Sequence, residues 1–212
     1  MQVRRLDGRT LLRERHHQAI LASARDLASK QSPDGLTVDE VAAAAGVSRR
    51  TVFNHFASFD ALLVAVCDQI LEEVVEQVLG HLDRRLSGAS GAIAALDCLC
   101  ASLRDADLPQ VMAEIVGALS SSAQDDLRRN AISQTALDKV GGQLTAKVLE
   151  HVPDLDRLTL RLTIEFLMKG TSLMAHEWVE THGGQVTAVS RQDWDATMDR
   201  LVVAIQHGYR AE

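Results

Sequence analysis

Almost every apolar run in this 212-residue chain repeats at about 3.6 residues, and Val/Ile/Thr alternation of strand length is absent. Each such segment has one apolar face and one polar face, the pattern of helices packed on helices, so the chain is predicted to be all-α. A sequence 46% apolar and 24% charged, with only 3 prolines, is too apolar to stay disordered and too polar to sit in a bilayer. No stretch approaches the roughly 18 uninterrupted apolar residues of a membrane span. The opening MQVRRLDGRTLLRERHH is polar and basic rather than signal-like, and a cytoplasmic protein is expected. Cys67, Cys98 and Cys100 are odd in number and lack a second CxxC or a histidine pair at zinc spacing, so neither a disulfide framework nor a metal site is expected.

The formal charge of −7 argues against nucleic acid only if it is evenly spread, and it is not. Residues 1–25 hold six arginines (Arg4, Arg5, Arg9, Arg13, Arg15, Arg25) against Asp7 and Glu14, a local +4. Residues 1–60 total +2 and residues 61–212 total −9, so a basic head precedes an acidic body. Seven aromatic residues are too few for folds that stack bases on aromatic platforms.

The first helix is predicted from about Thr10 to Ser29, with Ile20, Ala24, Leu27 and Ala28 on one face, and Ser32-Pro33-Asp34-Gly35 is turn chemistry. Thr37 and Glu40 then have the spacing of a capping box, opening a short helix from Val38 to about Ala45 that ends at Gly46. Ser48 caps a second short helix from Arg49 to His55, and Ser58 caps a long one beginning near Phe59. Further helices are expected near 90–104, 109–119, 123–151, 155–181 and 191–209. The pair Gly141-Gly142 is a place where the 123–151 helix could bend or break. Asp125-Asp126 and Arg128-Arg129 read as a solvated helix face.

Two short helices joined by a tight glycine-containing turn are a helix-turn-helix, whose second helix enters the DNA major groove. Ala42 is small where the helices approach, and Val41, Val47 and Val52 supply the apolar contacts of the crossing. Arg49, Arg50, Thr51, Asn54 and His55 remain on or near the outward surface, with no acid between Glu40 and Asp60. Arginine pairs bidentately with guanine and asparagine with adenine, while Thr37 and Ser48 stand at helix N-termini where hydroxyls and amides favour phosphate. The arginine-rich arm adds the clustered charge through which counterion release drives affinity.

Residues 35–63, GLTVDEVAAAAGVSRRTVFNHFASFDALL, closely resemble the DNA-binding domain of the tetracycline-repressor (TetR) family of transcriptional regulators, and AILASARDLA at 19–28 fits that family's first helix. The likeness covers about residues 10–63. It implies a three-helix DNA-binding domain with a basic arm over 1–60 and a helical domain over 61–212 that binds a small-molecule effector. It also implies a homodimer formed through the last two helices. By position, Arg49, Arg50, Thr51, Phe53, Asn54 and His55 should face a double-stranded operator, with Thr37 and Ser48 near phosphates. Departures are Phe53, where a tyrosine hydroxyl often meets phosphate, Phe59 in place of a common lysine, and Ala28 in place of an aromatic. Asp39, an acid in the helix that crosses the DNA backbone, either weakens binding or pairs with a nearby arginine.

For the body the resemblance supplies a plan rather than residues. Segments 155–178 and 194–209 would be the dimer helices, with Leu201, Val202 and Ile205 as contacts in the second. Met112, Ile115, Phe166, Met168, Met174 and Trp178 are candidates to line an effector pocket, against the plainer reading that each is core or interface. Cys98 and Cys100 point in different directions on a helix, and His176 and His182 miss the i, i+4 spacing of a metal pair, so no redox, metal or cofactor role is assigned. No GxSxG, phosphate loop, HExxH or Glu-x-x-His pair is present, and an enzyme is not expected. The competing class is a helical adaptor that uses its basic arm to hold an acidic partner without DNA sequence preference.

Overall fold

The computed structural model describes residues 8–30, 36–119 and 126–207, the side chains of 9 and 119–138 excepted; the arm at 1–7, the turn at 32–35 and the solvated face at 125–129 lie outside the described residues. Among the described residues there are nine helices and no strand: α1 (Gly8–Lys30), α2 (Val38–Ala44), α3 (Arg49–His55), α4 (Phe59–Leu86), α5 (Gly91–Arg104), α6 (Leu108–Leu119), α7 (Asp126–His151), α8 (Arg157–His182) and α9 (Ala188–His207). The chain divides into two compact units, Met1–Ile70 with Glu114–Ala123, and Leu71–Ala113 with Gln124–Glu212. Both α4 and α6 contribute residues to each unit.

In the first unit, Ile20 and Ala24 of α1, Val41 of α2, Val52 of α3 and Leu62 of α4 are fully buried. Burying these apolar faces together is what holds helices as short as α2 and α3, seven residues each, that would not persist alone in water. The face of α1 is corrected in one respect: Leu21 is buried beside Ile20 and Ala24, whereas Leu27 is only half-buried.

The second unit is a helical body with one apolar core. Leu82 and Leu86 of α4, Leu99 of α5, Leu144 and Val148 of α7, Ile164 and Leu167 of α8, and Met198 of α9 form its centre. α8 packs against both α7 and α9. Glycines allow both approaches: a Cβ on Gly141 would stand 3.1 Å from Glu165 Oε1, and one on Gly170 would run into the Leu201 side chain. Gly141-Gly142 therefore does not break α7, which is continuous over Asp126–His151.

α9 begins at Ala188, earlier than the periodicity suggests, because Thr187 and Ser190 cap each other. The Ser190 amide donates to Thr187 Oγ1 at 3.1 Å and the Thr187 amide to Ser190 Oγ at 2.8 Å. α8 starts from an Asp156 cap, whose carboxylate accepts from the Thr159 amide at 2.7 Å, and stops at Gly183 with φ of 60°. Among the described residues no helix is long and apolar enough to cross a membrane.

Candidate nucleic-acid interface

The turn between α2 and α3 is built by the backbone. Gly46 N–H donates to Ala43 O at 3.2 Å and Val47 N–H to Ala42 O at 2.9 Å, the paired bonds of a Schellman stop, with Gly46 at φ of 66°. Only glycine takes that conformation without strain, and it fixes the direction in which the chain leaves α2. Ser48 then starts α3: its Oγ accepts from the Thr51 amide at 3.1 Å and lies 2.8 Å from Thr51 Oγ1. Thr37 completes the capping box at the head of α2, accepting from the Glu40 amide at 3.3 Å while its own amide donates to Glu40 Oε2 at 2.9 Å. Ser58 accepts from the Ala61 amide at 3.0 Å and opens α4.

Val52 is the inward anchor of α3, and Arg49, Arg50, Phe53 and Asn54 emerge on its solvent side, at i, i+1, i+4 and i+5. Thr51 and His55 are half-buried rather than outward. Thr37 and Ser48 are exposed at the two caps. Val47 is also half-buried, so Val41, Ala42 and Val52 carry the closed part of the crossing. Arg49 Nη1 donates to Asp39 Oδ2 at 3.0 Å, and its Cζ stands 5.6 Å from the centre of the Phe53 ring.

Sequence reading did not foresee what surrounds His55. His16 and His17 of α1 bring their rings to 6.4 and 5.6 Å from it, and His17 stacks on Phe56 at 4.9 Å. A signal existed: His16 and His17 lie one turn before the buried Ile20, on the same inward side of α1. Burial, with the charges of His17, Arg13 and His16, holds the His55 pKa below 6.5. Among the described residues no group of three or more His, Cys, Asp and Glu is placed to hold a metal ion.

The six apolar candidates for an effector do not share one setting. Met168, Met174 and Trp178 are buried in the core of the second unit, and Met112 packs half-buried against it. Trp178 donates from Nε1 to the Ser190 carbonyl at 2.8 Å and meets Trp194 edge-on at 6.0 Å. Ile115 is half-buried in the first unit, while Phe166 is 60% exposed on α8. Leu201, Val202 and Ile205 differ from expectation as well: Val202 is buried and the other two pack on the chain's own core. Burial pushes the Cys67 thiol up to about 12 and raises that of Cys100, which disfavours the reactive thiolate. Cys98 donates to the Arg85 carbonyl at 3.4 Å.

A capped, glycine-turned helix pair presenting arginine and asparagine from its second helix defines a helix-turn-helix DNA-binding protein. The family of bacterial regulatory proteins named for tetR matches residues 20–66. The HTH-type transcriptional repressor Rv3405c of Mycobacterium tuberculosis is 29% identical over 168 residues, covering 72% of this chain and 86% of that protein. The regulator AlkX of the same organism is 33% identical over 76 residues, covering 36% and 34%. A solved chain from Mesorhizobium loti, described as a TetR-family transcriptional regulator, shares the fold at a TM-score of 0.61 and 18% identity, covering 94% of this chain and 98% of that one. Over residues 20–66 the chain thus matches the DNA-binding part of the tetR family, and over most of its length it is similar to HTH-type transcriptional regulators.

Proposed function

We propose that this protein is a homodimeric repressor that binds a roughly palindromic operator through Arg49–His55 and is released by a small-molecule effector. The observation that carries the reading is the solvent side of α3, where Arg49, Arg50, Phe53 and Asn54 stand together beside the two capped termini. Arg49, Arg50, Phe53 and Asn54 face the groove, the half-buried Thr51 and His55 border it, and the Thr37 and Ser48 hydroxyls lie near phosphates. Residues 1–60 read DNA in the cytoplasm, and 61–212 dimerise and receive the effector. The sign of regulation follows the repressor name of the Mycobacterium tuberculosis relative.

The homodimer is supported by α8. Leu158, Leu162, Phe166 and Leu173 are each 60 to 67% exposed and recur at i, i+4, i+8 and i+15, one helical stripe. Val189 and Val203 extend exposed apolar surface along α9. A patch of this kind is normally covered in a soluble protein, and two copies of a self-complementary face cover each other. Phe166 is then an interface residue, leaving Met168, Met174, Trp178 and Met112 for the effector. DNA selects the conformation whose two heads match the half-sites, and an effector that binds another conformation more tightly lowers operator affinity by that difference.

Selection from random duplexes tests the reading. The expected product is an inverted repeat with half-sites centred about 34–36 Å apart. Arg49→Ala and Asn54→Ala should each relax one base pair by about 1–3 kcal/mol. Enrichment of no sequence would favour the adaptor that binds through charge alone.

A further inference from the structure

Asp39 places a negative charge on the side of the helix-turn-helix that meets a polyanion, which by itself opposes DNA binding. Its carboxylate is committed to one partner, Arg49, ten residues away across the α2–α3 junction. The two side chains are 58 and 67% exposed, and an ion pair so wet adds little to stability. What the contact does fix is direction. The carboxylate holds one terminal nitrogen of the guanidinium, and the Arg49 Cζ stands over the Phe53 ring, 5.6 Å from its centre, within cation–π range. Among the described residues, neighbouring Arg50 has no hydrogen bond or ion pair to restrain it.

A guanidinium has five N–H donors in a rigid fork. Two suffice for guanine O6 and N7, so the Nη1 bond to Asp39 leaves enough for bidentate base reading. A long side chain that is free in solution loses rotamer freedom when it meets DNA, and it can swing to a phosphate instead. One held from two sides loses less and cannot swing as readily.

We propose that Asp39 and Phe53 form a clamp that aims Arg49 at a guanine edge, making Asp39 a positioning residue that sets specificity at one base pair of each half-site while lowering affinity for DNA in general. The inference rests on the reading above in which Arg49 faces the major groove. It gives the charge of Asp39 a function: the acid opposes indiscriminate phosphate binding, and its arginine partner discriminates.

The test uses the full chain, the selected operator, its single-base-pair variants and a random duplex. Arg49→Ala should abolish discrimination at one base pair, which establishes the underlying reading. Asp39→Ala should lower discrimination at that same base pair by roughly five- to tenfold, a fraction of what a bidentate contact carries. It should also tighten binding to the random duplex and steepen its log–log salt dependence by about one, as the freed arginine takes a phosphate. Phe53→Leu should lower discrimination at the same pair without strengthening random binding, and Asp39→Ala combined with Arg49→Ala should lose no more discrimination than Arg49→Ala alone. Unchanged helicity and melting temperature of Asp39→Ala keep a folding defect from imitating the result. If Arg49→Ala relaxes one base pair and Asp39→Ala leaves it as sharp as before, the clamp is wrong and the groove reading stands. If Arg49→Ala relaxes none, the groove reading falls and the clamp with it.

Discussion

The Arg25 guanidinium of α1 donates from both Nε and Nη2 to one carboxylate oxygen of Glu114 on α6, at 3.2 and 2.8 Å. The partners are 89 residues apart in sequence and belong to the same compact unit, so the pair ties the first helix to a segment returning from much later in the chain. Their side chains are 34 and 26% exposed, which screens the interaction below the value of a buried charged bond. Glu114→Ala is expected to destabilise by about 1 kcal/mol, with Glu114→Gln intermediate. Urea unfolding of the two variants checks this, and a loss indistinguishable from zero would reduce the pair to a passive contact.

The α8 stripe predicts the effect of charge at the proposed dimer face. Leu162→Glu combined with Phe166→Glu alters side chains about 60% exposed in the single chain, so folding should survive while association fails. Sedimentation should show a monomer at concentrations where the parent is a dimer. Operator affinity should fall steeply, because the second half-site no longer binds as part of the same molecule. A variant that stays dimeric would place the interface elsewhere.

His55 makes the stability of the first unit depend on pH in a definite direction. Its folded pKa lies below 6.5, so between the two values the unfolded chain holds more proton than the folded one. Its contribution is complete above about pH 6.5 and declines as the pH falls from there through the folded pKa. Denaturation midpoints at pH 7.5 and 5.5 should therefore differ more for the parent than for His55→Gln. Equal differences would show that the pH dependence of stability does not come from His55.

The basic arm gives a prediction that follows from charge alone. Removing residues 1–9 deletes Arg4, Arg5 and Arg9 and should weaken binding to operator and random duplex alike. The salt slope should flatten by about 0.9 for each phosphate that the arm neutralises. An unaltered slope would mean that the arm does not touch the backbone.

Helix identity was legible because it is local. Thr37 with Glu40, Gly46, and Ser48 announce their caps within four residues, and the structure places each where the spacing puts it. The start of α9 was misplaced because Thr187 and Ser190 cap each other with a serine where the familiar box has a glutamate. The periodic signal of Leu201, Val202 and Ile205 could not say which apolar face packs inward, since a core stripe and an interface stripe look alike in sequence.

The sequence by itself determined the helical class, the turn geometry at Gly46 and the residues that α3 carries, because hydrogen bonding along a helix and its caps involves only near neighbours. Tertiary structure decided the rest by joining distant segments. It set His16 and His17 beside His55, Asp39 against Arg49, and Glu114 against Arg25, and it left Phe166 rather than Leu201 on the outside. Each of those pairings depends on the angle at which one helix crosses another, a quantity set by the packing of whole apolar faces and absent from any single segment.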